Sequence, residues 1–212
     1  MNTAFLLEAA AAVNAAVLAH EADIESLDRE IGAGDHFVNI KRGCATILAM
    51  RDELAPLAAD AVLQKIGMKL LSTIGGASGP LIGSCFMAMG KAVKEGGADS
   101  LPQIAAMFAA GVAAIQQRGK ADIGEKTMLD VLIPVSQTFT RLANEGVARE
   151  ELLEVLKREA EQGMLATRDM IASKGRAAFL GERAIGHIDP GAKTSQVIIH
   201  TLCDLALDHR TP

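Results

Sequence analysis

The chain has 212 residues and half are hydrophobic, yet aromatics make up only 3%, with no Trp and no Tyr. Ala, Leu, Ile, Val and Met must fill the core, a palette that suits close-packed helices better than sheets. A net charge of −5, and no basic cluster interleaved with aromatics, exclude a nucleic-acid backbone as partner.

Apolar residues recur at helical spacing from residue 3 to 27, through Leu6, Val13, Val17, Ile24 and Leu27. The same period runs from 36 to 54 and from 57 to 74. A fourth helix is expected to start at Pro80, since proline is favoured in the first turn. Ser100, Pro102 and Gln103 give a cap, a first-turn proline and a capping-box partner for a fifth helix to about residue 117. Thr127 is placed to cap a sixth, to about 145, with Pro134 as a kink. A seventh spans 148 to 173 and an eighth runs from roughly 194 to 209. Within it QVIIHTL, residues 196 to 202, is ambiguous: its β-branched content suits a strand, while its neighbours continue the helical period. The expectation is one all-α domain over 1–212, about eight antiparallel helices forming a bundle or barrel.

The uncharged run from 70 to 90 holds five glycines, a proline and four hydroxyl residues, so it reads as two helix ends meeting at a loop and not as a membrane span. Cysteines 44, 85 and 203 are odd in number and lack CxxC spacing, as expected of buried reduced thiols in a cytosolic protein. Glu8 interrupts any signal-peptide pattern, so a cytoplasmic location is expected.

Four loops, 28–39, 74–80, 118–130 and 174–195, are richer in glycine and polar residues than a plain bundle needs, which points to a site built at loop ends. In the first, Asp28 and Asp35 flank a glycine turn. Asp35 fits a helix N-cap, and the pair also fits a Mg²⁺ site completed by phosphates and waters. IGGASGP at 74–80 fits either an anion site at a helix start or a tight helix–helix turn. The third loop nearly spells a Walker A motif, but Glu125 stands where the lysine belongs and no strand precedes it, so a P-loop is rejected. Lys126 is left as either a phosphate contact or a solvated loop lysine. In the last loop Arg176 suits bidentate phosphate contact. Arg183 with Glu182 reads as a surface pair, and His187 as a structural hydrogen-bonder. Together these features suit the phosphate tail of a Mg–nucleotide.

The set LDREIG-x-x-DH-x-x-N-x-x-RG (27–43), GGASGP (75–80), RGKA (118–121), G-E-KTM-x-D (124–130) and KGRA-x-x-LGER-x-IGH-x-DPGA (174–192) resembles the nucleotide (ADP)-binding L subunit of the phosphotransferase-dependent dihydroxyacetone kinases. The resemblance implies an eight-helix barrel holding ADP or ATP at the loops of one end, with one or two Mg²⁺ ions. It implies phosphoryl transfer to dihydroxyacetone, or a related small keto sugar, on a separate K subunit. It further implies recharging by a phosphohistidine carrier protein, the M subunit, with no membrane partner, and it leaves a homodimer open. By position, Asp28 and Asp35 would bind metal, and His36, Asn39, Ala77 and Ser78 would line the phosphates. Gly119 and Met128 would line base and ribose, Arg176 would reach the phosphates and act in catalysis beside the two aspartates, and Asp189 with Pro190 would close the pocket. The chain departs from the family at Ala33, where a third Asp is expected, at Phe37, where Gly is usual, and at Glu125, where Asp is common. Phe37 would place bulk where phosphate should approach. Ala33 opens an alternative, a catalytically weak nucleotide-binding paralogue with a regulatory role.

Overall fold

The computed structural model describes residues 1–209, all helix and loop. Helices α1 (Thr3–Ala19), α3 (His36–Ala49), α5 (Ala59–Thr73), α6 (Ser78–Gly96), α7 (Leu101–Gly119), α8 (Leu129–Asn144), α9 (Arg149–Ala166) and α10 (Pro190–Asp208) are the eight long ones. Two short helices, α2 (Glu21–Ile31) and α4 (Arg51–Leu54), follow α1 and α3, and two 3₁₀ segments, Thr167–Asp169 and Arg176–Ala184, lie between α9 and α10.

Each long helix from α5 onward packs on the next, α10 returns to α1, α1 packs on α3, and α3 on α5. The result is a closed antiparallel ring, as expected for short connections between amphipathic helices. Alternation around that ring puts the junctions 32–35, 74–77, 120–128 and 167–189 at one end. It also puts the N-termini of α3, α6, α8 and α10 there. Inside the ring lies an apolar cavity of about 440 Å³, lined from all sides by residues such as Leu6, Ile47, Phe86, Met107, Leu156 and Ile199. Cys44, Cys85 and Cys203 border it as free thiols, and burial pushes Cys85 and Cys203 up to about 12.

Several boundaries differ from the periodicity. The 3–27 helix breaks at His20 into two pieces bent by 65°, with the His20 ring bonded to Ala16 O. The fourth helix starts at Ser78, two residues before Pro80. The seventh stops at Ala166, and the eighth starts early because Asp189 caps it and Pro190 opens it. QVIIHTL is helical, and the Ser100–Gln103 capping box forms. No single described helix is long and apolar enough to cross a membrane.

Helices α5 and α6 make their closest approach through glycines. A Cβ on Gly67 would sit 2.8 Å from Gly83 O and 2.9 Å from Met87 N. Gly67→Ala should therefore lower the Tm, because overpacking of about 1–3 kcal/mol exceeds the helix-propensity gain of at most about 1 kcal/mol. Thermal unfolding by circular dichroism checks it, and an unchanged or raised Tm would contradict the packing.

Candidate functional site

The α2–α3 turn is organised by Asp28, which is only 3% exposed. Its Oδ2 accepts the His36 backbone N–H at 2.8 Å, so Asp28, eight residues back, holds the start of α3. Asp35 occupies the N-cap position yet makes no cap hydrogen bond; its carboxylate accepts instead from Asn39 Nδ2 at 3.3 Å. The expected cap role thus falls to the other aspartate. Gly32 makes this possible, since a Cβ there would lie 1.9 Å from Asp28 Oδ1. Ala33 and Gly34 are exposed at the tip of the turn.

Phe37 does not obstruct this end. It is buried with Val17 and Ile24, packed beside Val13, Ile40 and Cys44, because the second helical position points back into the ring. His36 points across to α10, with Nε2 2.8 Å from Thr194 Oγ1. The Thr194 hydroxyl donates to Pro190 O, so His36 Nε2 is the donor and Nδ1 keeps a lone pair. Burial holds the His36 pKa below its ordinary value against the raising effects of Asp28 and Asp35, which favours the neutral ring.

The second loop meets the first. A Cβ on Gly75 would lie 3.3 Å from Asn39 Oδ1 and 3.8 Å from the Arg42 guanidinium, which itself donates to Asn39 Oδ1. Gly76 turns with φ +64°, and Ala77 and Ser78 follow at the open start of α6. Gly119 approaches this helix too, 3.2 Å from Leu81 by the same measure.

The third loop is folded around Asp130, 2% exposed, whose two oxygens accept from Gly124 N at 2.6 Å and Thr127 N at 2.7 Å. That turn sets Met128 against Gly191, with 3.6 Å from the Gly191 Cβ position to Met128 N. Lys126 is neither a solvated lysine nor free for a phosphate. It is 1% exposed, and its ammonium donates to the carbonyls of Thr167, Arg168 and His187. Burial lowers its pKa, opposed by Asp189, Asp169 and Asp130. Glu125 accepts from Ser173 Oγ at 2.7 Å and Asp122 N at 2.6 Å, which lowers its pKa.

The fourth loop is less open than its glycines suggest. Ala177, Leu180 and Ala184 of its second 3₁₀ segment pack on Ile31 beside the Asp28 turn, and Arg176 opens that segment, exposed. Arg183 and Glu182 are exposed without forming an ion pair. His187 stands 3.9 Å from Glu30 and gives its carbonyl to Lys126, a structural role. Asp189 caps α10 through Ala192 N at 2.8 Å, and its own N–H bonds Thr167 Oγ1 at 3.1 Å. Burial pushes the Asp189 carboxyl up to about 7.

Thus Asp28, Asp35, His36, Asn39, Ala77, Ser78, Gly119, Met128, Asp189 and Pro190 lie at or beside four junctions joined by direct contacts, and Arg176 lies within the fourth, exposed at the start of its 3₁₀ segment. Four helix N-termini face the same end, a setting that favours a polyanion. No three His, Cys, Asp or Glu side chains converge as a preformed metal cage among the described residues. Two carboxylates fit a Mg²⁺ ion that completes its shell with phosphate and water. Thr194 and the structural use of Lys126 escaped the sequence reading because His36 and the Thr167, Arg168 and His187 carbonyls lie far away in the chain, while Asp130, whose partners Gly124 and Thr127 are local, carries no motif that marks it.

Two outcomes test this geometry. Gly32→Ala should displace the Asp28 carboxylate, loosening the start of α3 and lowering the Tm; an unshifted Tm would refute the close contact. Asp189 binds a proton at higher pH when folded, about 7 against 3.8. Its contribution to stability therefore falls as pH rises from about 4 to 7. The Tm of Asp189→Asn should gain on the wild type across that window, while a constant difference would show that Asp189 does not titrate there.

Residues 30–204 match the DAK2 domain family. The chain is 37% identical to the Escherichia coli K12 "PEP-dependent dihydroxyacetone kinase, ADP-binding subunit DhaL", over 84% of this chain and 85% of that one. It is 38% identical to the ADP-binding subunit DhaL of the Lactococcus lactis PTS-dependent dihydroxyacetone kinase, over 91% and 92%. Human "Triokinase/FMN cyclase" is 32% identical over 89% of this chain but only 33% of its own length. The dihydroxyacetone kinase of C. freundii, solved with AMP-PNP and Mg²⁺, superposes with a TM-score of 0.73 at 25% identity. That match covers 95% of this chain, which spans about a third (34%) of the solved chain. The chain belongs to the DAK2 domain family.

Proposed function

We propose that the whole chain forms one L-type domain that holds Mg–ADP or Mg–ATP at this end of the ring and transfers a phosphoryl group to dihydroxyacetone, or a related small keto sugar, on a partner K subunit. The observation that carries it is the convergence of four helix N-termini and their glycine-rich junctions around Asp28 and Asp35, tied across the ring by His36 and Thr194. Asp28 and Asp35 are the metal ligands, and the metal when bound neutralises phosphate charge. Asn39, Ala77 and Ser78 lie along the phosphates, and Arg176 supplies a cation to them. His36, fixed by Thr194, lies along the phosphates as well. Gly119 and Met128 line the base and ribose, and Asp189 with Pro190 closes the pocket. The chain itself positions and neutralises; the acceptor hydroxyl and its base belong to the partner.

A phosphohistidine carrier protein recharging the nucleotide, and a cytoplasmic setting, follow from the same reading. So does an exposed docking end: Phe179 is 87% exposed three residues after Arg176, and i and i+3 share a side of a 3₁₀ helix.

Ala33 favours a second reading. It offers no carboxylate at the tip of the turn, so Asp28 and Asp35 would hold one ion and a second would have one ligand fewer. In this reading the chain binds nucleotide and regulates. Phe37, buried in the core, lends that reading no support. A coupled assay with the K subunit and phosphocarrier distinguishes the two. Turnover in the native chain, changed less than about tenfold by Ala33→Asp, supports the kinase. No turnover in the native chain with recovery in Ala33→Asp would establish the regulatory form.

A further inference from the structure

We propose that Lys126 is a positioning residue for the nucleotide: its ammonium closes both ends of the 167–187 excursion and thereby sets where Arg176 stands. The inference rests on the nucleotide reading above.

An ammonium has three N–H donors and no acceptor. Here the three go to Thr167 O and Arg168 O at the entry of the excursion, and to His187 O at its exit. The first two are carbonyls of the 3₁₀ turn just past α9, each already bonded once, by Met170 N and Gly186 N, and their remaining lone pairs at a helix C-terminus favour a cation. The third belongs to a residue two before the cap of α10. A neutral side chain of the same length leaves His187 O without a donor and removes the ammonium link between entry and exit, so the two ends are then held only by Gly186 N to Arg168 O at 2.8 Å and Asp189 N to Thr167 Oγ1 at 3.1 Å.

What lies between those ends is held lightly. The intervening segment touches the ring through a small cluster of Ile31, Ala172, Ala177, Ala184 and Leu180. Its other ties include Ser173 and Lys174 to Glu125 and Gly186 N to Arg168 O at 2.8 Å. Lys126 and Glu125 are therefore adjacent anchors on one turn, and that turn also carries Met128. The turn is itself costly: Lys126 has φ +61°, a left-handed backbone unusual for a residue with a side chain. Asp130 imposes it by gripping the amides of Gly124 and Thr127. Strain retained to aim a buried ammonium at two ends of a phosphate-facing loop links the base side of the pocket to the phosphate side.

The test is a double-mutant cycle on Mg–ADP affinity, measured by calorimetry on nucleotide-stripped protein. Lys126→Met and Arg176→Ala should each weaken binding about tenfold, and the double variant should bind no more weakly than Arg176→Ala alone. Additive losses, or Lys126→Met binding as tightly as wild type, would overturn the proposal. A purely structural lysine lowers the Tm while leaving the affinity of folded protein unchanged. If Lys126→Met lacks native helix content, Lys126→Gln, which keeps two donors, enters the same cycle under the same criteria. Failure of the wild type to bind Mg–ADP would instead sink the nucleotide reading itself.

Discussion

Parity governs this molecule. In a closed ring of antiparallel helices every second junction falls at the same end, and every helix that begins there presents its N-terminal amides. The four glycine-rich junctions are separated by long stretches of sequence, yet the ring has no other place to put them. Their local chemistry differs: at α6 Gly75 and Gly76 lead into a start with no side-chain cap, whereas at α3 and α10 the carboxylates of Asp28 and Asp189 accept from the first amides.

Within that frame the two aspartates divide their labour. Asp28 is buried and committed with one oxygen to the α3 amide; Asp35 is exposed and bonded only through Asn39. One is a fixed anchor and the other an adjustable arm. A turn with one fixed carboxylate keeps a defined geometry although Ala33, at its tip, offers none.

The helices were legible because α-helical periodicity is local, and so was the capping box at Ser100. The breaks were less so. His20 ends α1 by a ring contact to Ala16 O, a choice that propensity does not encode. The candidate site was readable as a list of loops and not as a geometry. Asp35 looked like the cap because it is adjacent to the helix, while the residue that performs the capping lies eight positions away. Phe37 looked obstructive because periodicity alone does not say which way a helix start faces. Lys126 read as either a phosphate contact or a solvated lysine because its three acceptors lie 41 to 61 residues on.

The contact between His36 and Thr194 spans 158 residues of chain. It joins the start of α3 to the helix that seals the ring against α1. This end of the ring is therefore joined across the α3–α10 seam only once the last helix has docked, whatever the state of the earlier ones. The entropy lost in closing so long a loop is recovered only at that step. During synthesis, a ribosome-bound chain short of α10 carries both aspartates and the α6 glycines but no pocket. Closure of this end and topological completion are one event.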